Sequence, residues 1–537
     1  MLGIIHPPSL NLLEYASVSG AEVASRQFVE AMVRYLPPTA VALFADDEAL
    51  PRLQQNLNEL SEARDGSHAD TLLLRLKLLP EVFAVQPFMA LHFLIPCLDR
   101  LSYIRTEFSP SVFPITCTPH GFSGTAALWD FFTRLALTPT LPCDAVICSS
   151  EASRRAFANS LEQVREALGA TGLSGLPDAP QMVVLPLGVD VQTFRPRDKR
   201  DVRYLLNLPY DKTLLLSFGR LDHVSKANLG PLLLVLRELL KDGEKLALII
   251  AGATDTNERA YLERMILEAG VKDHVYLRPN PTFSEAPLYY SAADIFVGLS
   301  DTTQESFGIA PLEAMASELP VVVADWSGYR ETVIDAETGH RVPTRWGRCE
   351  GEWLRLSPLS TWHDEAQHVS EEVSVDVRQL KNALKGLLND PSERQRMGKA
   401  ARKHVEANYA WRVIVPRYQA VWEELAEVAS TLQPDTRPCV PSVASRPFDN
   451  FGHYATHSVD GSTKVTASKR DVMTLWPSLS QSSVSSRLLE QVMDQVNGRI
   501  VRLTDLQQYL TQAVGVAPEE TLRSILWLLK FDFIELA

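Results

Sequence analysis

Glu305-Ser306-Phe307-Gly308-Ile309-Ala310-Pro311-Leu312-Glu313 runs on into Ala314-Met315-Ala316 and lies just beyond the apolar stretch Asp294 to Val297. The apolar stretch reads as a strand, and the glutamate-bounded segment reads as a loop that opens a helix. In an open parallel sheet, the loop after a strand and the first turn of the next helix form the ligand crevice. Pro311 suits that first turn, whose backbone N–H groups lack partners and attract negative charge. Glu313 then faces inward from the turn while Glu305 stays on the loop. Two carboxylates placed this way can accept hydrogen bonds from sugar hydroxyls, one near a transferred ring and one near a ribose. An isolated pair of glutamates is more often a simple helix-dipole arrangement, so the surroundings decide.

Outward from this segment, short β-branched runs alternate with longer helical patterns. Leu2 to His6, Val41 to Phe44, Phe113 to Thr116, Ala145 to Cys148 and Met182 to Leu185 form one series. Thr213 to Phe218, Leu246 to Ala251, His274 to Leu277, Asp294 to Val297 and Pro320 to Ala324 form a second. Such alternation predicts α/β architecture: two Rossmann-like, doubly wound domains with parallel sheets. Turn formers at Gly188-Val189-Asp190 and Phe194-Arg195-Pro196 mark the boundary. The expected division is 1–195 for an N-terminal Rossmann-like domain and 196–400 for a second one that carries the glutamate-bounded loop. Helices over 401–429 then pack back across both. Twelve serines and five prolines in 430–486 predict a linker. Residues 487–537 read as a small, mainly helical, winged-helix-like module, with helices over Leu488 to Val496, Leu506 to Val514 and Glu519 to Leu529. Thr504 is expected to cap the second of these, and Phe531 to Leu536 to close as a strand. Residues 45–112 give no readable chemistry.

Composition excludes several classes. An apolar content of 45% and a charged content of 22% over 537 residues are those of a globular protein. The greasiest stretch, Thr71 to Pro96, carries Arg75, Lys77, Glu81 and His92, so no membrane span and no integral membrane protein is expected. The first residues read as a strand rather than a secretion signal. Six sparse cysteines without metal-ligand spacing predict reduced thiols, a cytoplasmic location and no metal site. A net charge of −14 disfavours nucleic acid and anionic lipid. Residues 1–195 hold 13 Lys/Arg against 20 Asp/Glu, which favours a soluble acceptor. Residues 487–537 hold 5 against 7, so that module suits docking of a protein partner or acceptor better than DNA.

The likeness of the decisive segment to a known family extends along the chain. Ser217-Phe218-Gly219-Arg220-Leu221, the helix from Pro311 to Ala316, Gly328-Tyr329-Arg330-Glu331-Thr332-Val333 before Thr338-Gly339, and Leu185-Pro186-Leu187-Gly188-Val189-Asp190 with Phe194-Arg195-Pro196 all occur in the chain. Together with the glutamate pair they resemble the retaining GT-B glycosyltransferases of family four, over about residues 1–428. The resemblance implies donor contacts at Glu305 and Glu313, with Phe307, Gly308 and Ile309 between them, and diphosphate contacts at Arg220 and Lys226. The family sets the last two one residue closer together than the six positions found here. In Cys117-Thr118-Pro119-His120-Gly121 it implies that His120 touches the donor sugar. In Ser19-Gly20-Ala21-Glu22 it implies close approach of a ligand to Gly20, although Ser19 replaces a glycine of the family. Glu331 matches an acidic position expected to shape the loop, and Ser149 or Ser150 should cap the next helix.

The activity so implied is transfer of a sugar from a nucleotide diphosphate sugar to an acceptor hydroxyl, with retention and without a metal or other cofactor. In retaining members the departing phosphate is thought to take the acceptor's proton, so charge stabilisation by Arg220 and Lys226 and orientation by Glu305, Glu313 and His120 would carry catalysis. The two carboxylates and two cations are expected to meet in one cleft between the domains. A non-catalytic nucleotide-sugar-binding or scaffold protein, or a GT-B phosphorylase or epimerase, would use the same frame. The sugar, base and acceptor are not encoded legibly.

Overall fold

Runs such as Leu246–Gly252, buried along their whole length, have no polar face to offer water and fit only a sheet covered on both sides. In the computed structural model such runs form two parallel sheets. The residues described are 1–5, 20–36, 41–47, 49–62, 71–85, 88–95, 98–347, 349, 355, 357–433, 447–468 and 485–537. The first, seven-stranded sheet comprises β1 (Leu2–Ile5), β2 (Val41–Ala45), β3 (Thr71–Arg75), β4 (Ala90–Phe93), β5 (Ile115–Cys117), β6 (Ala145–Cys148) and β7 (Gln181–Val184), in the order β3-β2-β1-β4-β5-β6-β7. The second, six-stranded sheet comprises β8 (Thr213–Phe218), β9 (Leu246–Gly252), β10 (Val275–Pro279), β11 (Ile295–Gly298), β12 (Val321–Ala324) and β13 (Gly339–Val342), in the order β10-β9-β8-β11-β12-β13.

Three strands of these two sheets escape the sequence reading. β3 and β4 flank a helix, Leu79–Val85, inside the greasy stretch, where uniform apolarity leaves no period to separate strand from helix. β13 carries His340 and Arg341 and so lacks an apolar run.

Five helices position the loops of the site. α1 (Gly20–Tyr35) comes after β1, α2 (Glu151–Ala170) after β6 and α3 (Ile309–Ala316) after β11; α4 (Pro391–Asn408) and α5 (Trp411–Ser430) close the fold. Ser150 caps α2, its Oγ accepting from the Ser153 N–H at 2.9 Å. α4 packs on α3 in the second lobe, whereas α5 packs on α1 and β4 in the first. The chain therefore crosses between lobes at Gly188 and again at Tyr409. The crossings are tied by bonds from Val189 N to Tyr409 O (2.8 Å) and from Trp411 N to Val189 O (3.3 Å). Gly188 lies against the Trp411 ring, where a Cβ would come within 2.4 Å. Trp422, fully buried, donates to Thr116 Oγ1 at 3.0 Å. In the first lobe Arg105 and Asp144 form a buried bidentate pair at 2.6 and 2.8 Å.

Residues 1–443 form one compact unit and 444–537 another. The second unit contains a three-stranded antiparallel sheet, and one of its strands, Lys464–Ala467, comes from the stretch expected to be linker. It lies between Val501–Arg502 and Ile534–Leu536. A short run, Lys-Val-Thr-Ala, amid serines gives no strand signal by itself. The helices Ser486–Val496, Leu503–Val514 and Pro518–Lys530 cover this sheet with a core of Val465, Leu489, Val492, Leu506, Ile525 and Leu528. Thr504 does not cap the second helix. Arg502 holds the cap position, and Thr504 Oγ1 donates to the Gly461 carbonyl at 2.6 Å instead. Among the described residues no helix is long and apolar enough to cross a membrane, and Cys117, Cys143 and Cys148 are buried thiols outside any disulfide.

Candidate functional site

In the second sheet the strand order reverses between β8 and β11. The chain leaves these neighbours in opposite directions, which opens a crevice at their carboxyl ends. β8 delivers Gly219 and Arg220 to it, and β11 delivers the segment Ser300 to Glu305. Backbone approaches backbone at its floor: a Cβ on Gly252 would lie 1.5 Å from the Gly219 carbonyl oxygen, so β9 must end in glycine. The resulting solvent-open crevice is lined by Gly219, Arg220, His223, Lys226, Ser300 and Tyr329, among other residues of the second lobe.

The loop that bears Lys226 is an aspartate-nucleated turn. Asp222 Oδ1 accepts from the N–H groups of Val224 (3.0 Å) and Ser225 (2.8 Å), and Ser225 Oγ donates to Asp222 Oδ2. Lys226 and Ala227 donate their N–H groups back to the Asp222 carbonyl at 3.1 and 3.2 Å. The Lys226 ammonium then meets Glu305 Oε2 at 2.5 Å, and the Tyr329 hydroxyl donates to the same oxygen at 3.1 Å. Arg220 lies 3.7 Å from Asp222 Oδ2 and donates to the Ser225 carbonyl at 3.5 Å. Asp301 is buried nearby; desolvation raises its carboxyl to about 7, and its Oδ1 has no hydrogen-bond partner among the described residues.

Glu313 lies on α3 itself. It accepts from the Tyr290 hydroxyl at 2.7 Å and from Gln27 Nε2 of α1 at 3.2 Å, and burial raises its pKa. Gly308 caps α3 in the left-handed region (φ 91°), and a Cβ there would strike the Tyr329 ring at 2.0 Å. Phe307 is buried against Tyr409, with ring centroids 6.2 Å apart, and Ile309 packs on the core, so neither side chain reaches the cavity.

The first lobe closes on this loop through several polar bonds. Ser306 Oγ donates to the His120 carbonyl at 3.1 Å, Ser150 Oγ donates to the Ser306 carbonyl at 2.6 Å, and Gln304 Nε2 donates to Ser123 Oγ. Glu331 accepts the N–H groups of Glu151 and Ala152, both at 2.9 Å. It therefore satisfies the first turn of α2 across the lobe boundary. The His120 ring is desolvated, which lowers its pKa to about 4, and its Nε2 is buried without a hydrogen-bond partner among the described residues. His92 is lowered to about 3 by burial and by repulsion from His120. Gly20 is the first residue of α1, whereas Ser19 lies outside the described residues.

Of the residues singled out in the sequence, Arg220, Lys226 and Glu305 gather. Glu313 is bonded apart from them, to Tyr290 and Gln27, His120 meets the loop through its carbonyl and Ser306, and among the described residues the cavity is lined by the second lobe. The sequence reading misses Tyr290, Tyr329 and Gln27, which hold the two glutamates. Tyr329 is visible beside Gly328 in the motif; Tyr290 and Gln27 carry no local signal.

Residues 198–346 match the family model described as Glycosyl transferases group 1. The matched span holds Arg220, Lys226, Glu305 and Glu313. Among curated proteins, the chain is 30% identical over 269 residues to a D-inositol 3-phosphate glycosyltransferase of Kineococcus radiotolerans, covering 49% of this chain and 55% of that protein. It is 24% identical over 273 residues to spore coat protein SA of Bacillus subtilis, covering 49% and 64%. The chain thus spans about half the length of the curated relatives it matches. The fold is that of sucrose-phosphate synthase from Thermosynechococcus elongatus (TM-score 0.51, 20% identity, 80% of this chain and 99% of that one). Anabaena HepE, solved in complex with UDP-glucose, shares it too (TM-score 0.52, 14% identity, 80% and 99%). Both Rossmann-like lobes thus follow the GT-B arrangement.

Proposed function

We propose that this chain is a retaining glycosyltransferase that moves a sugar from a nucleotide diphosphate sugar to an acceptor hydroxyl without a metal. The observation that carries the reading is the Lys226–Glu305 contact of 2.5 Å, made by a lysine that lines a cavity together with Arg220. Cation and carboxylate neutralise each other there until an anion arrives. A diphosphate can take over the ammonium and draw on Arg220, and the released Glu305 can then accept from sugar hydroxyls. Glu313, acceptor-only when ionised, keeps lone pairs beyond those engaged by Tyr290 and Gln27 and suits a ribose diol. His120 Nε2, buried and without a hydrogen-bond partner among the described residues, is free to bond a sugar hydroxyl from the first lobe.

The bound UDP-glucose of Anabaena HepE and the names of the matched relatives support a nucleoside diphosphate sugar as donor. The acceptor reaches the site from the first lobe, and we place the enzyme in the cytoplasm acting on a soluble acceptor. Catalysis in this reading rests on electrostatic stabilisation of the leaving diphosphate by Arg220 and Lys226.

The test is incubation of the full chain with a panel of nucleotide sugars, following slow donor hydrolysis, alongside calorimetry of nucleoside diphosphates. A donor that is cleaved by the wild type and held at least tenfold more weakly by Glu313→Ala is the expected result. A chain that binds no nucleoside diphosphate sinks the proposal.

A further inference from the structure

Ser300, Asp301 and Thr302 converge on one loop. Ser300 Oγ donates to the Lys226 carbonyl at 3.1 Å, Asp301 Oδ2 accepts from the Asn228 N–H at 3.4 Å, and Thr302 Oγ1 donates to the Ser225 carbonyl at 3.3 Å. All three residues are buried, at 1%, 4% and 1% exposure. Successive side chains of a strand point to opposite faces, so three neighbours can meet one loop only because the chain has left β11 by this point. The backbone groups they engage belong to a turn without sheet or helix partners, where buried polar groups must find bonds elsewhere.

The same short segment holds both ends of Lys226. Its backbone is fixed by Ser300 to Thr302, and its ammonium is fixed by Glu305, three residues beyond Thr302. A lysine stem is long and flexible, so the position of the ammonium is set where those two anchors agree. The segment is itself fixed by Trp326 Nε1, which donates to the Thr302 carbonyl at 2.9 Å. Arg220 joins at the Ser225 carbonyl, which receives its guanidinium as well as Thr302 Oγ1. Asp301 keeps Oδ1 buried without a hydrogen-bond partner among the described residues, an arrangement that costs stability.

We propose that Ser300, Asp301 and Thr302 are positioning residues that hold Lys226 at its working place in the crevice. The inference rests on the reading that Lys226 meets the donor diphosphate. It assigns these residues no contact with substrate; they act through the lysine.

Calorimetry on the full chain with UDP, GDP and ADP, each compared with its monophosphate, tests this in Ser300→Ala, Thr302→Val and the pair combined. Each variant is made with Lys226 intact and with Lys226→Ala. With Lys226 intact, the combined variant should bind the preferred diphosphate about tenfold more weakly while the monophosphate changes less than about twofold. On the Lys226→Ala background the same changes should cost nothing further, and Thr302→Ser, which keeps the hydroxyl, should bind as wild type. Equal losses for mono- and diphosphate, or losses that repeat in full without Lys226, show a merely structural role and overturn the inference. If Lys226→Ala weakens the diphosphate but the combined variant does not, the inference alone falls. If Lys226→Ala leaves diphosphate affinity unchanged, the donor reading falls and takes the inference with it. Should Thr302→Val fail to fold, Ser300→Ala alone carries the same comparison.

Discussion

Lys226→Met keeps the lysine stem and removes its charge. The ammonium lies 2.5 Å from Glu305, whose side chain is 6% exposed while that of Lys226 is 30% exposed. Stripping one partner from a fully buried ion pair costs about 3–5 kcal/mol. Solvent reaches the lysine end here, and the Tyr329 hydroxyl stays on Glu305 at 3.1 Å. The expected loss is therefore discounted to roughly 1–3 kcal/mol. At roughly 2–4 °C per kcal/mol for lobes of this size, the melting temperature should fall by about 2–12 °C. Lys226→Met with Glu305→Gln leaves no unpaired charge, and the glutamine oxygen can still accept from Tyr329, so at least half of the lost stability should return. Diphosphate affinity should not return with it. A hydrogen bond from a charged donor contributes roughly 1.5–3 kcal/mol, or about 10–150-fold in Kd. Thermal melts read the first quantity and calorimetry the second. A single variant that melts with the wild type, or a double variant no more stable than the single, refutes the ion pair and the argument built on it.

Acidification should weaken the first lobe. His92 and His120 titrate near 3 and 4 when folded but near 6.5 when unfolded, so below 6.5 the unfolded chain binds more protons. Their contribution is fully present above about pH 6.5 and is lost as pH falls toward the folded values, at roughly 1.4 kcal/mol per unit for each ring. Denaturant midpoints at pH 7.5, 6 and 5 should drop accordingly, less so in His92→Gln, and a flat profile refutes the burial argument. Gly308→Ala must place a Cβ where the Tyr329 ring stands and hold φ near 91°, so a loss of about 2 kcal/mol or more is expected, with weaker diphosphate binding because Tyr329 supports Glu305. An unchanged melting temperature contradicts that packing. Glu331→Gln should cost about 1 kcal/mol and speed hydrogen exchange at the Glu151 and Ala152 amides, which it accepts at 2.9 Å; unaltered exchange at both would mean the lobes do not share this cap.

The sequence exposes most of the frame because parallel strands buried on both faces must be apolar along their length, as Thr213–Phe218 and Leu246–Gly252 are. β13 stays hidden behind His340 and Arg341, and β4 behind an apolar stretch with no period. The strand Lys464–Ala467 is hidden by the serines around it. In the site, Arg220, Lys226, Glu305 and Glu313 are all legible from the motifs, but what holds Glu313 is not. Its partners, Tyr290 and Gln27, sit 23 and 286 positions away and share only space with it. Local pattern carries no information about such pairs. The side chains that bond the backbone of the Lys226 loop, Ser300 to Thr302, lie beyond β11 and become evident only when the two loops are seen together.

The second crossing of the chain between lobes sets an order of assembly. Phe28, His92 and Thr116 stand open until Tyr418 and Trp422 arrive to cover them. During synthesis the whole second lobe emerges in between, since α5 follows α4 in the chain. The amino-terminal lobe is thus the first to be translated and the last to be finished, and a chain stopped short of residue 411 would expose an aromatic socket that its own missing helix was built to fill.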